Sequence, residues 1–176
     1  MSALPTQPLR SIKDVTAGNE MRAVKDMLFF LFRDLNSKPD SILLELGYGR
    51  AHHRCLHWIN RRPGLKVGEL LSILNITKQS LTRVLGPLIR DGYVLQTPGS
   101  ADRRQRLLTL TPAGMELEQR LFEGQGEMVA KAYSQAGAPA VEGFLQVVHE
   151  LISPQGHQYL SQLAASKPET PPVDHS

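Results

Sequence analysis

Val67-Gly68-Glu69-Leu70-Leu71-Ser72-Ile73-Leu74, then Asn75-Ile76, then Thr77-Lys78-Gln79-Ser80-Leu81-Thr82-Arg83 is the stretch that decides the architecture. Val67, Leu70, Leu71 and Leu74 keep the i, i+3, i+4, i+7 spacing of one helix face. Asn75-Ile76 turns the chain. A second helix then starts at Thr77, whose hydroxyl can cap the free amides of the first turn. Leu81, Val84, Leu85, Leu88 and Ile89 form its buried stripe, and Gly92 stands where a helix stops in a left-handed conformation. Tyr93 to Gln96 and Gln105 to Thr111 are strand-like. A turn with Pro98, Gly99 and Ser100 joins them, and its tip reads Ala101-Asp102-Arg103-Arg104.

Working outward, a helix from about Glu20 to Leu35 carries Val24, Leu28, Leu31 and Leu35 on one face. Met27, Phe29, Phe30 and Phe32 spread apolar surface around the rest of it. A helix apolar on most sides must be covered on most sides, which calls for a second subunit. Asn36-Ser37-Lys38-Pro39-Asp40 breaks this pattern. The next helix runs from near Tyr48 to Arg61, with Ala51, Cys55, Trp58 and Ile59 on one side. Thr111-Pro112 opens a helix toward Ala132 in the cap-then-proline manner, with Gly124 and Gly126 as candidate bends. A last helix spans about Pro139 to Ile152. The order of parts is a winged helix-turn-helix at about 45–112, mainly α with a small β-hairpin wing. Helices at about 20–35 and 112–165 flank it and are expected to dimerise. Residues 1–18 read as a flexible arm and 166–176 as a disordered tail, too polar to offset the entropy of ordering.

The 176 residues carry a formal charge of +3, with 41% apolar and 21% charged residues, as in ordinary soluble proteins. Placement of that charge therefore matters more than its sum. No apolar run approaches the ~20 residues that span a bilayer, and no signal peptide is visible, so a cytoplasmic protein without a membrane partner is expected. No nucleophile elbow, phosphate-binding loop, dinucleotide fingerprint or metal-hydrolase motif occurs, so neither catalysis nor a cofactor is expected.

The helix from Thr77 has two incompatible faces. With the Leu/Val stripe inward, Thr77, Lys78, Gln79, Ser80, Thr82 and Arg83 are the candidate DNA contacts of its exposed first half. Gln suits adenine, Arg and Lys suit guanine, and the Thr methyl suits thymine. The helix N-terminus favours a phosphate. Arg103 and Arg104 at the hairpin tip suit a narrow minor groove. Asp102 beside them repels DNA, and its expected job is to orient Arg104 by a charge-assisted hydrogen bond. Double-stranded DNA is the leading partner. The alternative is a winged-helix module used only for protein contact. Arg61, Arg62 and Lys66 are candidate phosphate contacts, or simply solubilise a loop. Gly86-Pro87 is expected to kink the helix, because proline removes the hydrogen bond to the carbonyl of Arg83.

Residues from about 45 to 115 resemble the MarR family of bacterial transcription regulators. The matching pieces are Val67-Gly68-Glu69-Leu70, Ile76 to Val84, Gly92-Tyr93-Val94, and Asp102-Arg103-Arg104-Gln105 through Leu110-Thr111-Pro112-Ala113-Gly114. The last holds the wing Asp-x-Arg and the Leu-Thr-x-x-Gly that follows it. Within the family the chain is similar to an alphaproteobacterial branch labelled PetP-like. The resemblance implies a symmetric homodimer with two wings on a pseudo-palindromic operator. It also implies repression or activation of nearby genes, often relieved by a small-molecule effector. A ligand cleft between the dimer helices and the DNA-binding lobe is implied as well, with Phe29, Phe32, His57 and Trp58 as candidate lining.

Ala51-His52-His53-Arg54-Cys55-Leu56-His57-Trp58 invites a metal or redox reading. His53 and His57 share a helix face, but a third ligand has no obvious spacing, so packing histidines are expected and no metal. Cys55 falls on the apolar stripe, where a cysteine is a small hydrophobe and not a sensor. Peroxide-sensing members of the family carry their reactive cysteine near the first helix, elsewhere than Cys55.

Overall fold

A computed structural model describes residues 19–99 and 102–165. The expectations for the arm, the tail, Ser100 and Ala101 lie outside those residues. The described elements run α1 (Asn19–Leu35), α2 (Ser37–Glu45), α3 (Arg50–Arg61), β1 (Leu65–Lys66), α4 (Val67–Leu74), α5 (Lys78–Arg90), β2 (Val94–Pro98), β3 (Arg106–Leu110), α6 (Pro112–Ala136), α7 (Ala138–Leu151) and α8 (Pro154–Ala165). The fold is mainly helical with one antiparallel sheet in the order β1-β3-β2. Leu65 stands opposite Leu108, and Val94 opposite Leu110.

The core is contributed by α2 to α6 and the sheet. Leu43, Leu56, Ile59, Leu65, Leu70, Leu88, Leu108 and Leu121 are fully buried in it. On α5, Leu81, Leu85 and Leu88 are buried and Val84 and Ile89 half-buried, which is the stripe expected from the sequence. Two local devices set the sheet against α6. The Thr111 hydroxyl donates to the carbonyl of Gly92 at 2.6 Å and accepts from the amide of Gly114 at 3.0 Å. A Cβ at Gly114 would collide with the carbonyl oxygen of Tyr93, so no larger residue fits where the start of α6 passes the backbone just before β2. The Leu-Thr-x-x-Gly pattern therefore marks a close backbone crossing.

Two expectations are corrected. Asn36 to Asp40 does not interrupt the helical structure beyond one residue: α2 begins at Ser37, with Pro39 in its first turn, where a missing amide costs nothing. Gly124 and Gly126 lie inside α6, which is one helix to Ala136. Gly124 admits the aliphatic chain of Lys38, whose Cδ would lie 2.8 Å from an added Cβ. The helix ending near Ile152 is not the last among the described residues, since Pro154 opens α8 with the Ser153 hydroxyl accepting from the Gly156 amide at 3.2 Å. The helix carrying Gly86-Pro87 runs unbroken from Lys78 to Arg90.

No helix among the described residues is long and apolar enough to cross a membrane. Yet α1 is apolar and uncovered. Met21, Val24, Met27, Leu28, Phe29, Phe30, Leu31 and Phe32 are all exposed, Phe29 by 65%. Phe122, Met128 and Val129 of α6 and Phe144, Leu145, Val147, Val148 and Leu151 of α7 are exposed too.

Candidate nucleic-acid interface

Thr77 caps α5. Its hydroxyl oxygen accepts from the amide of Ser80 at 3.2 Å and donates to the Ser80 hydroxyl at 3.0 Å. The two side chains are thus occupied with each other and with the helix start. The first turn beyond them presents Lys78, Gln79, Thr82 and Arg83, all exposed. The Thr82 hydroxyl donates to the carbonyl of Lys78 at 2.9 Å, which leaves the methyl as its uncommitted group. At 100° per residue, Gln79 and Arg83 stand on the outermost row, and Lys78 and Thr82 lie on the row facing the wing.

Asp102 organises the wing tip through the backbone. Its Oδ1 accepts from the amide of Arg104 at 2.9 Å, and its Oδ2 from Nε2 of Gln105 at 3.4 Å. The carbonyl of Asp102 accepts from the amide of Gln105, and the amide of Gly99 donates to the carbonyl of Gln105, both at 3.0 Å. The sequence points to the guanidinium of Arg104 as the partner of Asp102. In the fold the backbone amide takes that place, because a carboxylate two residues upstream reaches the amide with a far shorter span. The side chains of Lys66, Lys78, Arg83, Arg103, Arg104 and Arg106 have no ion-pair partner among the described residues. A concavity of about 660 Å³ separates α5 from the wing, and Lys66, Lys78, Thr82, Gln96, Arg104 and Arg106 are part of its wall.

Other candidates are brought elsewhere. Arg62 is half-buried and engaged: Nη2 lies 2.9 Å from Oε1 of Glu69, and Nη1 donates to Oε1 of Gln162 at 3.4 Å. The second oxygen of Glu69 accepts from the amide of Lys66 at 3.0 Å, so Arg62 braces the start of α4 and is not a free cation. Arg61 is exposed. Arg90 is held by its neighbour Asp91, at 2.9 and 3.2 Å. Asp91 also accepts from the Tyr48 hydroxyl at 2.6 Å, tying the end of α5 to the start of α3. The sequence does not single out Tyr48, Asp91 or Arg106; only the position of Arg106, two residues past the wing arginine on an outward strand site, offers a signal.

On the far side of α3 a second concavity, of about 530 Å³, is lined by Phe32, Arg50, His53, Arg54, His57 and Gln125 among others. Phe32 and His57 of the suggested cleft meet there. Phe29 packs edge-on against Phe30, and Trp58 packs against the core, so these two do not join them. Nδ1 of His57 lies 3.4 Å from Oε1 of Glu118, a buried carboxylate whose other oxygen accepts from Nδ2 of Asn60 at 2.6 Å. Burial holds His53 below the usual histidine range, helped by the neighbouring His57. His52 turns away, accepting from the amide of Gly49 and stacking on Tyr48. Among the described residues no three His, Cys, Asp or Glu side chains converge as a metal would need. Cys55 is fully buried, and burial pushes its thiol up to about 12.

The sequence model described as MarR family matches residues 46–105, which hold α3 to β2 and the wing tip. The HTH-type transcriptional regulator PetP of Rhodobacter capsulatus is 44% identical over 144 residues, 82% of this chain and 87% of that one. The chain belongs to the MarR family. Among solved MarR-like structures, a MarR mutant from Escherichia coli complexed with operator DNA aligns with a TM-score of 0.59 and 20% identity, over 77% of this chain and 97% of that one. FabT of Streptococcus pneumoniae in complex with DNA aligns with a TM-score of 0.63 and 19% identity, over 81% and 99%. At such identity these two establish the shared MarR fold. As a MarR-family member the chain is a transcriptional regulator and not an enzyme.

Proposed function

We propose that this protein is a sequence-specific DNA-binding transcriptional regulator that acts as a homodimer on a pseudo-palindromic operator and responds to a small-molecule effector. One observation carries the reading: Lys78, Gln79, Thr82 and Arg83 stand exposed on one helix beside a wing whose Arg103 and Arg104 have no counter-ion among the described residues. Long cations kept free of carboxylates break no ion pair when they turn toward phosphates or guanine edges. The first half of α5 enters the major groove, and the wing reaches the adjacent minor groove. Similarity to a MarR bound to operator DNA and to FabT bound to DNA supports this.

A module for protein contact alone would place its apolar surface beside α5. Most of the exposed large apolar side chains lie instead on α1, α6 and α7, where a second copy can cover them. Two copies then carry two α5 helices, whose separation must match half-sites about 34 Å apart. The concavity between α1, α3 and α6 is the candidate effector cleft, because it lies between the dimer helices and the lobe that carries α5. An occupant that favours another separation of the two helices releases the operator.

The test is Arg83→Ala with Arg104→Ala, measured by footprinting and titration on the DNA upstream of the protein's own gene. Loss of protection with an intact dimer supports the reading. Unchanged affinity overturns it.

A further inference from the structure

A helix that reads bases must be held at an angle as well as at a depth. The buried Leu81, Leu85 and Leu88 set the depth of α5 in the lobe. Contacts between leucines are non-directional, so they resist small tilts of the helix only weakly. Tilt is fixed by a bond with a direction. Among the described residues, one side-chain hydrogen bond joins residues 77–91 to the rest of the lobe, that from the Tyr48 hydroxyl to Asp91 at 2.6 Å. We propose that Tyr48 is a positioning residue for DNA recognition: its hydroxyl on Asp91 and its ring against Tyr93 fix the tilt of α5 relative to the wing. The proposal rests on the DNA reading above.

Tyr48 is itself firmly held. Its amide donates to the carbonyl of Leu43 at 2.8 Å, just after Gly47 has turned the chain at a φ of 71°. Its ring stacks on His52, with centroids 4.7 Å apart, and meets Tyr93 edge-on at 6.0 Å. His52 is fixed in turn, because its Nδ1 accepts from the amide of Gly49 at 3.1 Å. Burial, and then the Asp91 carboxylate, hold the Tyr48 hydroxyl above the usual tyrosine range, so it remains a donor. Tyr93 directly precedes β2, the first strand of the wing, and its carbonyl accepts from the amide of Thr111 at 3.1 Å. One side chain therefore touches the end of α5 and the root of the wing together.

Length turns a small tilt into a large error. At 1.5 Å per residue Gln79 stands roughly 18 Å along the helix from Asp91, so a tilt of about 5° moves it by about 1.5 Å. Base contacts need their groups placed within about 0.5 Å. Long cations on phosphates follow such a shift by turning their side chains, and they carry no sequence information. Loss of the bond should therefore damage reading of the operator and spare non-specific binding.

Tyr48→Phe keeps the ring and removes the hydroxyl. Operator affinity should fall by about tenfold, the scale of one hydrogen bond to a charged group. Affinity for scrambled DNA and the slope of log K against log salt should stay as in wild type, because every cation is still present. The dimer is checked by sedimentation. In an Asp91→Ala background, which already frees Arg90 and removes the acceptor, Tyr48→Phe should cost nothing further. A lower Tm with unchanged operator affinity would leave Tyr48 a purely structural residue and overturn the proposal. Equal losses on operator and scrambled DNA overturn it too, as does a full loss from Tyr48→Phe when Asp91 is already alanine. If Arg83→Ala with Arg104→Ala spares operator binding, the DNA reading itself falls. If that pair abolishes binding while Tyr48→Phe leaves the ratio of operator to scrambled affinity unchanged, only the positioning role falls.

Discussion

At the scale of single residues, Cys55 and its neighbours show how far a side chain's chemistry depends on where the fold puts it. In sequence Cys55 stands among three histidines and an arginine, a setting that suits a thiolate. In the fold it is fully buried, and its thiol is pushed up to about 12 because burial disfavours the charged form. A neutral, covered thiol is neither nucleophile nor sensor. The native protein is expected to resist a thiol-specific reagent at neutral pH and to label once, at Cys55, when unfolded in urea. Rapid stoichiometric labelling of the folded protein would contradict this. The inward position of Cys55 was legible from the apolar stripe shared with Trp58 and Ile59. Glu118 was not: a glutamate on an otherwise amphipathic helix looks solvated, and only the packing of α6 on α3 puts it against Asn60 and His57.

At the scale of elements, α5 is anchored at both ends by different chemistry. Thr77 closes its start, and the Tyr48 hydroxyl bonded to Asp91 closes its end. The bonds from Arg90, and then that from Tyr48, hold the Asp91 carboxyl below the usual carboxylate range. Its pKa is thus lower folded than unfolded. The contribution to stability is present above the unfolded value of about 3.9 and is lost as pH falls through the folded value. Asp91→Asn keeps the shape and removes the titration. Wild type should be more stable than this variant at neutral pH, and the gap should close in acid, as read by urea denaturation across a pH series. A gap independent of pH would mean that the carboxylate contributes nothing through its charge. Elements with strong period and caps, α4 and α5 above all, were legible because their local signals agree with the packing. The start of α2 was not, because Pro39 reads as a breaker although a first-turn position tolerates it. The two residues of β1 form a strand only because Leu65 and Lys66 find Leu108 and Leu107 opposite them, a long-range fact no local window holds.

At the scale of the molecule, one chain leaves a broad apolar surface uncovered. The lobe formed by α2 to α6 and the sheet has its own closed core, while α1 and α7 show large apolar side chains to solvent, Phe32 by 62% and Leu151 by 76%. A further groove of about 440 Å³ between α1, α6 and α7 is walled by Leu31, Val129, Val141 and Phe144 among others. Leaving this much apolar surface in water is unfavourable by roughly 25 cal/mol for each Å². In the homodimer proposed above, a second copy burying it would remove that cost and set the spacing of the two α5 helices at once. Leu28→Glu with Phe29→Glu places charges in the middle of the α1 surface without touching the lobe's core. Sedimentation should then show a monomer, and circular dichroism should show most of the helix content retained. Operator affinity should fall by about 10²–10⁴-fold, because one lobe engages one half-site and the gain from linking two disappears. Non-specific binding per lobe should change little, since the cations of α5 and the wing remain in place. A persistent dimer would assign the apolar surface another partner, and a monomer that holds the operator as tightly as wild type would refute the two-headed reading.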